Sequence, residues 1–253
     1  MMRAETSSAA PVEAGRVPVH SAAEPLLVVE NLTLCYPGGD GRPALDGIDL
    51  TIGAGEFAVL LGRSGSGKSS LLNIVAGLDR PSGGSVRVAG TELSRLSEPE
   101  LARWRAVGIG IVFQFYQLLP SLTVAENIML PMDFAGTIAR RLRRPRALSL
   151  LDQVGIADQA DKLPAMLSGG QQQRAAVARS VANDPPLVVA DEPTGNLDST
   201  SAEAVIGLLV GLAGAGRTIL VATHDRDLAS RARRVVQLAD GRIERNVLST
   251  VPA

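Results

Sequence analysis

Two rhythms of apolar and polar positions alternate along the chain. Short aliphatic runs occur in "PLLVVENLTLCY" from residue 25, "EFAVLLG" at 56–62, "SVRVAG", "GIGIVFQ", "PPLVVADEP" and "RTILVATHD". Apolar runs of this length, bounded by polar or turn residues, predict strands, and the last two predict parallel strands covered on both faces. Between the runs lie stretches of helical period. One is predicted over 68–77, and about 121–165 is helical in period with no strand signal. The segment "ARRVVQLADGRIER" reads as a closing hairpin that turns at Asp240-Gly241. The pattern therefore predicts an α/β core interrupted by a helical insert. No internal repeat is visible, which argues against a duplicated core. Residues 1–24 are rich in Ala, Ser, Pro and Glu without an apolar period, and are expected to form a disordered tail.

Composition narrows this picture. The chain has 253 residues, 45% hydrophobic and 3% aromatic, which is a globular composition able to bury a sizeable core. A formal net charge of -1 gives no global field to recruit nucleic acid or an anionic membrane. The single cysteine, Cys35, excludes an intramolecular disulfide and a cysteine-based zinc site. The longest uncharged apolar run, about 204–216, falls short of the roughly 20 residues a bilayer span needs. The N-terminal stretch has no apolar core of the secretory kind, so a cytosolic location is expected.

Candidate chemistry starts with a lysine. Lys68 and Lys162 are the only lysines among 25 cationic side chains, and Lys68 stands inside "GRSGSGKSS", residues 62–70. Lysine is a compact charge on a slim stem, whereas arginine is a broad planar fork. The segment fits GxxxxGK[ST] and lies between a predicted strand and a predicted helix, the context in which that pattern forms a phosphate-binding loop. Gly62, Gly65 and Gly67 let backbone N–H groups wrap phosphates without a Cβ in the way. Arg63, Ser64 and Ser66 complete the loop, and Ser70 follows it. Lys68 would reach the β- and γ-phosphates, and Ser69 would offer its hydroxyl to Mg²⁺.

A second acidic strand end is expected for such a site, and "LVVADE" at 187–192 supplies it. Asp191 would meet Mg²⁺ directly or through water. Glu192 would orient and deprotonate the attacking water. A third motif, "LSGGQ" at 167–171, opens a helix predicted over 170–183. Its Ser168, Gly169, Gly170 and Gln171 form another anion-binding helix start.

Together with "DEPTGNLDS" at 191–199, these motifs make the chain resemble the ABC-type ATPases, the nucleotide-binding domains of ABC transporters. The resemblance covers about residues 26–246. It implies an ABC ATPase domain over 25–248: a P-loop NTPase core with a mostly parallel sheet, an antiparallel β subdomain, and a helical subdomain at about 115–168 inserted after the Q-loop. It also implies ATP and Mg²⁺ as ligands. Residue by residue, Tyr36 matches the aromatic that stacks on adenine, and Gln114 the Q-loop glutamine that senses Mg²⁺ and water. Asp198 matches the D-loop aspartate of the dimer interface, and His224 the switch histidine at the γ-phosphate. The "LSGGQ" serine and glycines would close over ATP held by a partner subunit, which implies a head-to-tail homodimer.

"FQFYQLLPSLTVAENIMLPM" at 113–132 is similar to the branch that includes lipoprotein-release and macrolide-export ATPases and the cell-division ATPase FtsE. That resemblance implies an integral membrane permease as partner, no nucleic acid, and a peripheral place on the cytoplasmic face of the membrane. Two roles remain open: powering export or extraction of a lipophilic or peptide-like cargo, or switching an extracytoplasmic enzyme without moving cargo. The run "RRLRRPR" at 140–146 also has two readings, a contact with the permease or anionic headgroups and a solvated helix face.

Overall fold

A computed structural model describes residues 25–38 and 42–249. The expected N-terminal tail lies outside the described residues. Two sheets form the framework. The antiparallel one has the order β2-β1-β4-β5, from β1 (Pro25–Leu34), β2 (Leu45–Gly53), β4 (Gly83–Val88) and β5 (Thr91–Glu92). The second has the order β10-β9-β3-β8-β7-β6, from β3 (Phe57–Leu61), β6 (Ile109–Val112), β7 (Leu187–Asp191), β8 (Thr218–Thr223), β9 (Arg234–Ala239) and β10 (Arg242–Leu248). Its strands are parallel except for the β9–β10 hairpin.

Alternate residues of the central strands feed opposite cores, as the period of two requires. Phe57 and Val59, Val188 and Ala190, and Ile219 and Val221 face a core shared with the helices. Ala58 and Leu60, Leu187 and Val189, and Leu220 and Ala222 face a core shared with the antiparallel sheet. Both faces are thus covered, which is why these strands read as unbroken aliphatic runs. The hairpin turns where the sequence indicates. Asp240 and Gly241 have φ of 47° and 74°, the paired left-handed conformation of a type I′ turn.

The helical stretch lies between β6 and β7. It holds α3 (Val124–Ala135) and α4 (Arg140–Gln153), and α5 (Gly169–Ser180) leads back to the sheet. Thr123 and Glu126 close a capping box at the start of α3. The fully buried Asn127 holds the incoming loop by accepting from Leu119 N–H at 2.7 Å and donating to the carbonyls of Leu119, Leu122 and Thr123. The arginine run proves largely intramolecular. Arg143 pairs with Asp133 and donates to Ile138 O, Arg144 donates to Asp161, and Arg146 donates to Ala182 O. Three of its five arginines therefore brace the helical segment itself.

Candidate functional site

Four neighbouring parallel strands, β3, β8, β7 and β6, end on one edge of the sheet. The chain leaves them at Gly62, His224, Glu192 and Gln114 respectively, give or take a residue. Residues distant in sequence therefore meet at the carboxyl ends of the strands, where open α/β sheets place their ligands. A cleft of about 600 Å³ lies there, lined by Ser64, Gly65, Lys68, Gln114, Glu192 and His224 among others.

The loop after β3 runs into α1 (Lys68–Val75). Gly67 caps this helix with φ of 100° and no side-chain hydrogen bond, so the first N–H groups of α1 have no side-chain partner. A Cβ on Gly67 would lie 2.8 Å from Ala44 O and 2.9 Å from Leu45 Cδ2, so glycine is required for space as well as conformation. The β9–β10 turn braces the loop from behind, with Gly241 N–H donating to Ser66 O at 3.2 Å. Lys68 is only 6% exposed, and its Nζ donates to Gly62 O at 2.8 Å and Arg63 O at 3.1 Å. The slim stem thus passes through backbone and delivers its charge to the cleft. Ser66 is also buried, with an unpaired hydroxyl. Tyr36 lies outside the lining of the cleft. It is exposed, and its hydroxyl bonds Ser70 Oγ at 3.2 Å.

The two acidic residues have different surroundings. Ser69 hydrogen-bonds Asp191, and burial pushes the Asp191 carboxyl above its ordinary range. Asp191 Oδ1 is buried without a partner. Glu192 has a left-handed backbone, φ 42°, held by its N–H to Ala222 O at 2.8 Å. A non-glycine residue there costs on the order of 1 kcal/mol, so the surrounding bonds hold it against strain. Its carboxylate accepts from Thr223 Oγ1 at 3.1 Å and bonds His224 Nδ1 at 3.0 Å, with Lys68 Nζ 3.9 Å away. Lys68, Glu192 and His224 are therefore brought together, and the amide nitrogen of Gln114 lies beside Gly195 just beyond them.

Ser168, Gly169, Gly170 and Gln171 do not line this cleft. They start α5, where Ser168 Oγ accepts from Gln171 N–H at 3.3 Å and Gln171 Oε1 accepts from Ser168 N–H at 2.9 Å. Asp198 lies near them as N-cap of α6 (Ser199–Gly214) and accepts from Ser201 N–H at 3.0 Å, which lowers its carboxyl below the ordinary range. A Cβ on Gly170 would lie 2.5 Å from Ser201 Oγ, so the two helix starts pack closely.

Two further residues tie these parts together. The half-buried Arg179 donates to the carbonyls of Tyr116 and Gln117, whose φ values are 59° and 52°. Gln173, fully buried, donates to Pro193 O at 2.8 Å and to Phe113 O at 3.5 Å. Both sit on α5 and hold the loop that carries Gln114, and Gln173 also holds the one that carries Glu192. Sequence reasoning missed them. The only signal was a large polar side chain on a helix whose other inward positions are small or aliphatic.

A family model described as "ABC transporter" matches residues 45–195. The chain belongs to the ABC transporter family. It is an ABC ATPase cassette with the mixed, mostly parallel sheet and antiparallel β subdomain of that fold. The cassette is 48% identical over 222 residues to a macrolide export ATP-binding/permease protein, MacB, of Burkholderia thailandensis, covering 87% of this chain and 34% of that one. It is 44% identical over 232 residues to a pyoverdine export ATP-binding/permease protein, PvdT, of Pseudomonas fluorescens, covering 90% and 35%. The cassette thus spans about a third of the length of these curated relatives. A solved structure, the dimeric post-hydrolysis state of the ATP-binding cassette MJ0796 bound to ADP and Pi, is 40% identical with a TM-score of 0.82, covering 88% of this chain and 98% of that one.

Proposed function

We propose that this cassette is the ATP-hydrolysing subunit that powers a membrane permease, working from the cytoplasmic face in the export or extraction of a lipophilic or peptide-like cargo. The observation that carries the catalytic part is the convergence of Lys68, Gln114, Glu192 and His224 on one cleft. Kinship with export ATP-binding/permease proteins supports the transport part.

Lys68 and the open N–H groups of α1 bind the β- and γ-phosphates. Asp191 Oδ1, buried and unpartnered, and the Ser69 hydroxyl beside it form an oxygen donor set suited to Mg²⁺, and Gln114 approaches from the next loop. When bound, the ion neutralises charge on the phosphate oxygens. Glu192 takes a proton from the water that attacks the γ-phosphorus as the bridging P–O bond to ADP breaks. His224 holds Glu192 before ATP arrives and turns to the γ-phosphate afterwards. Tyr36, on the β1 side of Ser70, stacks on adenine.

The Ser168–Gln171 start lies outside its own chain's cleft and closes over the ATP of a second copy. Asp198, packed beside it, joins the same head-to-tail interface. The permease docks on the helical segment. There an apolar groove of about 600 Å³, lined by Ile109, Phe113, Leu130, Phe134 and others, leaves Phe134 76% exposed. Among the described residues no helix is long and apolar enough to cross a membrane, so the reading places the membrane part in another polypeptide segment.

The test is Glu192→Gln. The variant is expected to bind ATP with Mg²⁺, sediment as a dimer, and hydrolyse at least about a hundredfold more slowly, the scale of a lost general base. Near wild-type turnover would remove Glu192 from that role. ATP-loaded variant drawn from native membranes in mild detergent should carry a permease. Recovery of soluble partners alone would overturn the membrane-coupled reading.

A further inference from the structure

Thr223 is the last residue of β8, a strand buried along its whole length, and is itself 1% exposed. A hydroxyl there must find its partners inside the protein. It finds them on the site. Thr223 Oγ1 donates to Glu192 Oε2 at 3.1 Å and accepts from Asp225 N–H at 3.1 Å. The amide proton of Asp225 occupies a lone pair, which directs the one hydroxyl proton to the carboxylate. The Thr223 carbonyl accepts from Gly62 N–H at 3.3 Å, the first glycine of the phosphate loop. One residue therefore joins the phosphate loop, the acidic strand end and the turn that carries His224.

The sheet makes this possible. Thr223 pairs in register with Leu61 of β3, and its neighbour Ala222 pairs with Asp191 of β7. β8 lies between the strand that delivers the phosphate loop and the strand that delivers Glu192. Glu192 has a strained backbone, and its other side-chain neighbours are less committed to it: His224 is an exposed side chain, and Lys68 Nζ stands 3.9 Å away with two carbonyls of its own. Thr223 is the buried, strand-anchored donor of the set.

We propose that Thr223 is a positioning residue for Glu192. Resting on the general-base reading above, its hydroxyl fixes Oε2 so that Oε1 faces the attacking water once His224 has left for the phosphate. The bond comes from a buried hydroxyl to a mostly buried carboxylate, and a misplaced base is costly to the rate. It acts on the chemical step and not on nucleotide affinity, because no atom of Thr223 lines the phosphate cleft.

Thr223→Val keeps the shape and removes the hydroxyl, while Thr223→Ser keeps the hydroxyl. Thr223→Ala is the smaller second variant should the added methyl of valine disturb the strand. With ATP and Mg²⁺, the valine or alanine variant is expected to lose about tenfold in kcat with KM and ATP affinity within about twofold, and serine to restore most of the rate. Glu192→Gln with and without Thr223→Val should hydrolyse equally slowly, since positioning an absent base has no effect. A folded Thr223→Val enzyme with wild-type kcat would overturn the proposal, as would a serine variant as slow as valine. Rapid turnover by Glu192→Gln alone would instead overturn the general-base reading, so the two failures are separate.

Discussion

Two helices of this protein begin with glycine-rich, serine-containing turns, and they solve the same problem in opposite ways. The start of α1 has a glycine cap with no side-chain hydrogen bond. The start of α5 is closed by Ser168 and Gln171, each satisfying the other's backbone N–H. Orphan N–H groups at a helix start must be paired by side chains, water or a ligand. The first helix leaves its N–H groups without a side-chain partner and has the buried Lys68 beside them, the arrangement the proposed phosphate site uses. The second pairs the N–H groups of Ser168 and Gln171 within itself and presents an ordered Ser-Gly-Gly turn. On the proposed function, one start needs its anion and the other is a preformed lid for an anion held elsewhere. The difference gives the head-to-tail reading a physical basis, since only one of the two starts carries a buried cation and an adjacent acidic strand end.

The largest effect should come from breaking the first start. Lys68→Arg keeps the charge and loses the slim stem that fits between the carbonyls of Gly62 and Arg63. ATP affinity, measured by titration calorimetry or a fluorescent analogue, is expected to fall at least about tenfold, roughly 1.4 kcal/mol. Unchanged affinity would show that charge alone suffices there.

A smaller effect is expected at the second start. Ser168→Ala opens the capping box and should cost about 1 kcal/mol of stability in urea unfolding, with monomeric ATP affinity unchanged. If Ser168→Ala weakened ATP binding by a single chain, the two starts would not be separate.

The smallest effect sharpens the contrast by acidity. The box that starts α3 is closed by Glu126, whose carboxyl is lowered by the backbone N–H and then the hydroxyl of Thr123. A lowered carboxyl contributes stability that is present above its unfolded value and lost as pH falls through the folded one. The loss therefore sets in below pH about 4. The α5 box uses Gln171 and carries no such loss. Glu126→Gln should turn the first box into the second kind and flatten the acid limb of a thermal unfolding series by a small amount. An unchanged acid limb would show that the carboxylate bond adds nothing in solution.

Much of this was legible in the chain. Aliphatic runs marked β3, β7 and β8 because strands covered on both faces have no polar side to alternate with. Asp240-Gly241 marked its turn because few pairs accept two positive φ values. The phosphate loop was legible because its chemistry is local, with glycines, lysine and serine acting within one turn. Gln173, Arg179 and Thr223 were not, because their partners lie 20 to 63 residues away along the chain. Nothing near a buried polar residue in sequence states which distant carbonyl or carboxylate it will meet. The arginine run shows the same limit, since its charge was visible and its intramolecular partners were not.

Residue types and their spacing along the chain were enough for the elements, the family and the short-range anion sites, because backbone conformation and capping depend on neighbours within a few residues. The order β3-β8-β7-β6 was settled only by the folded sheet, and with it the meeting of Lys68, Glu192, His224 and Gln114 and the exclusion of Ser168 from their cleft. That order depends on how two cores pack against opposite faces of one sheet, a contact between segments that the linear pattern leaves unassigned.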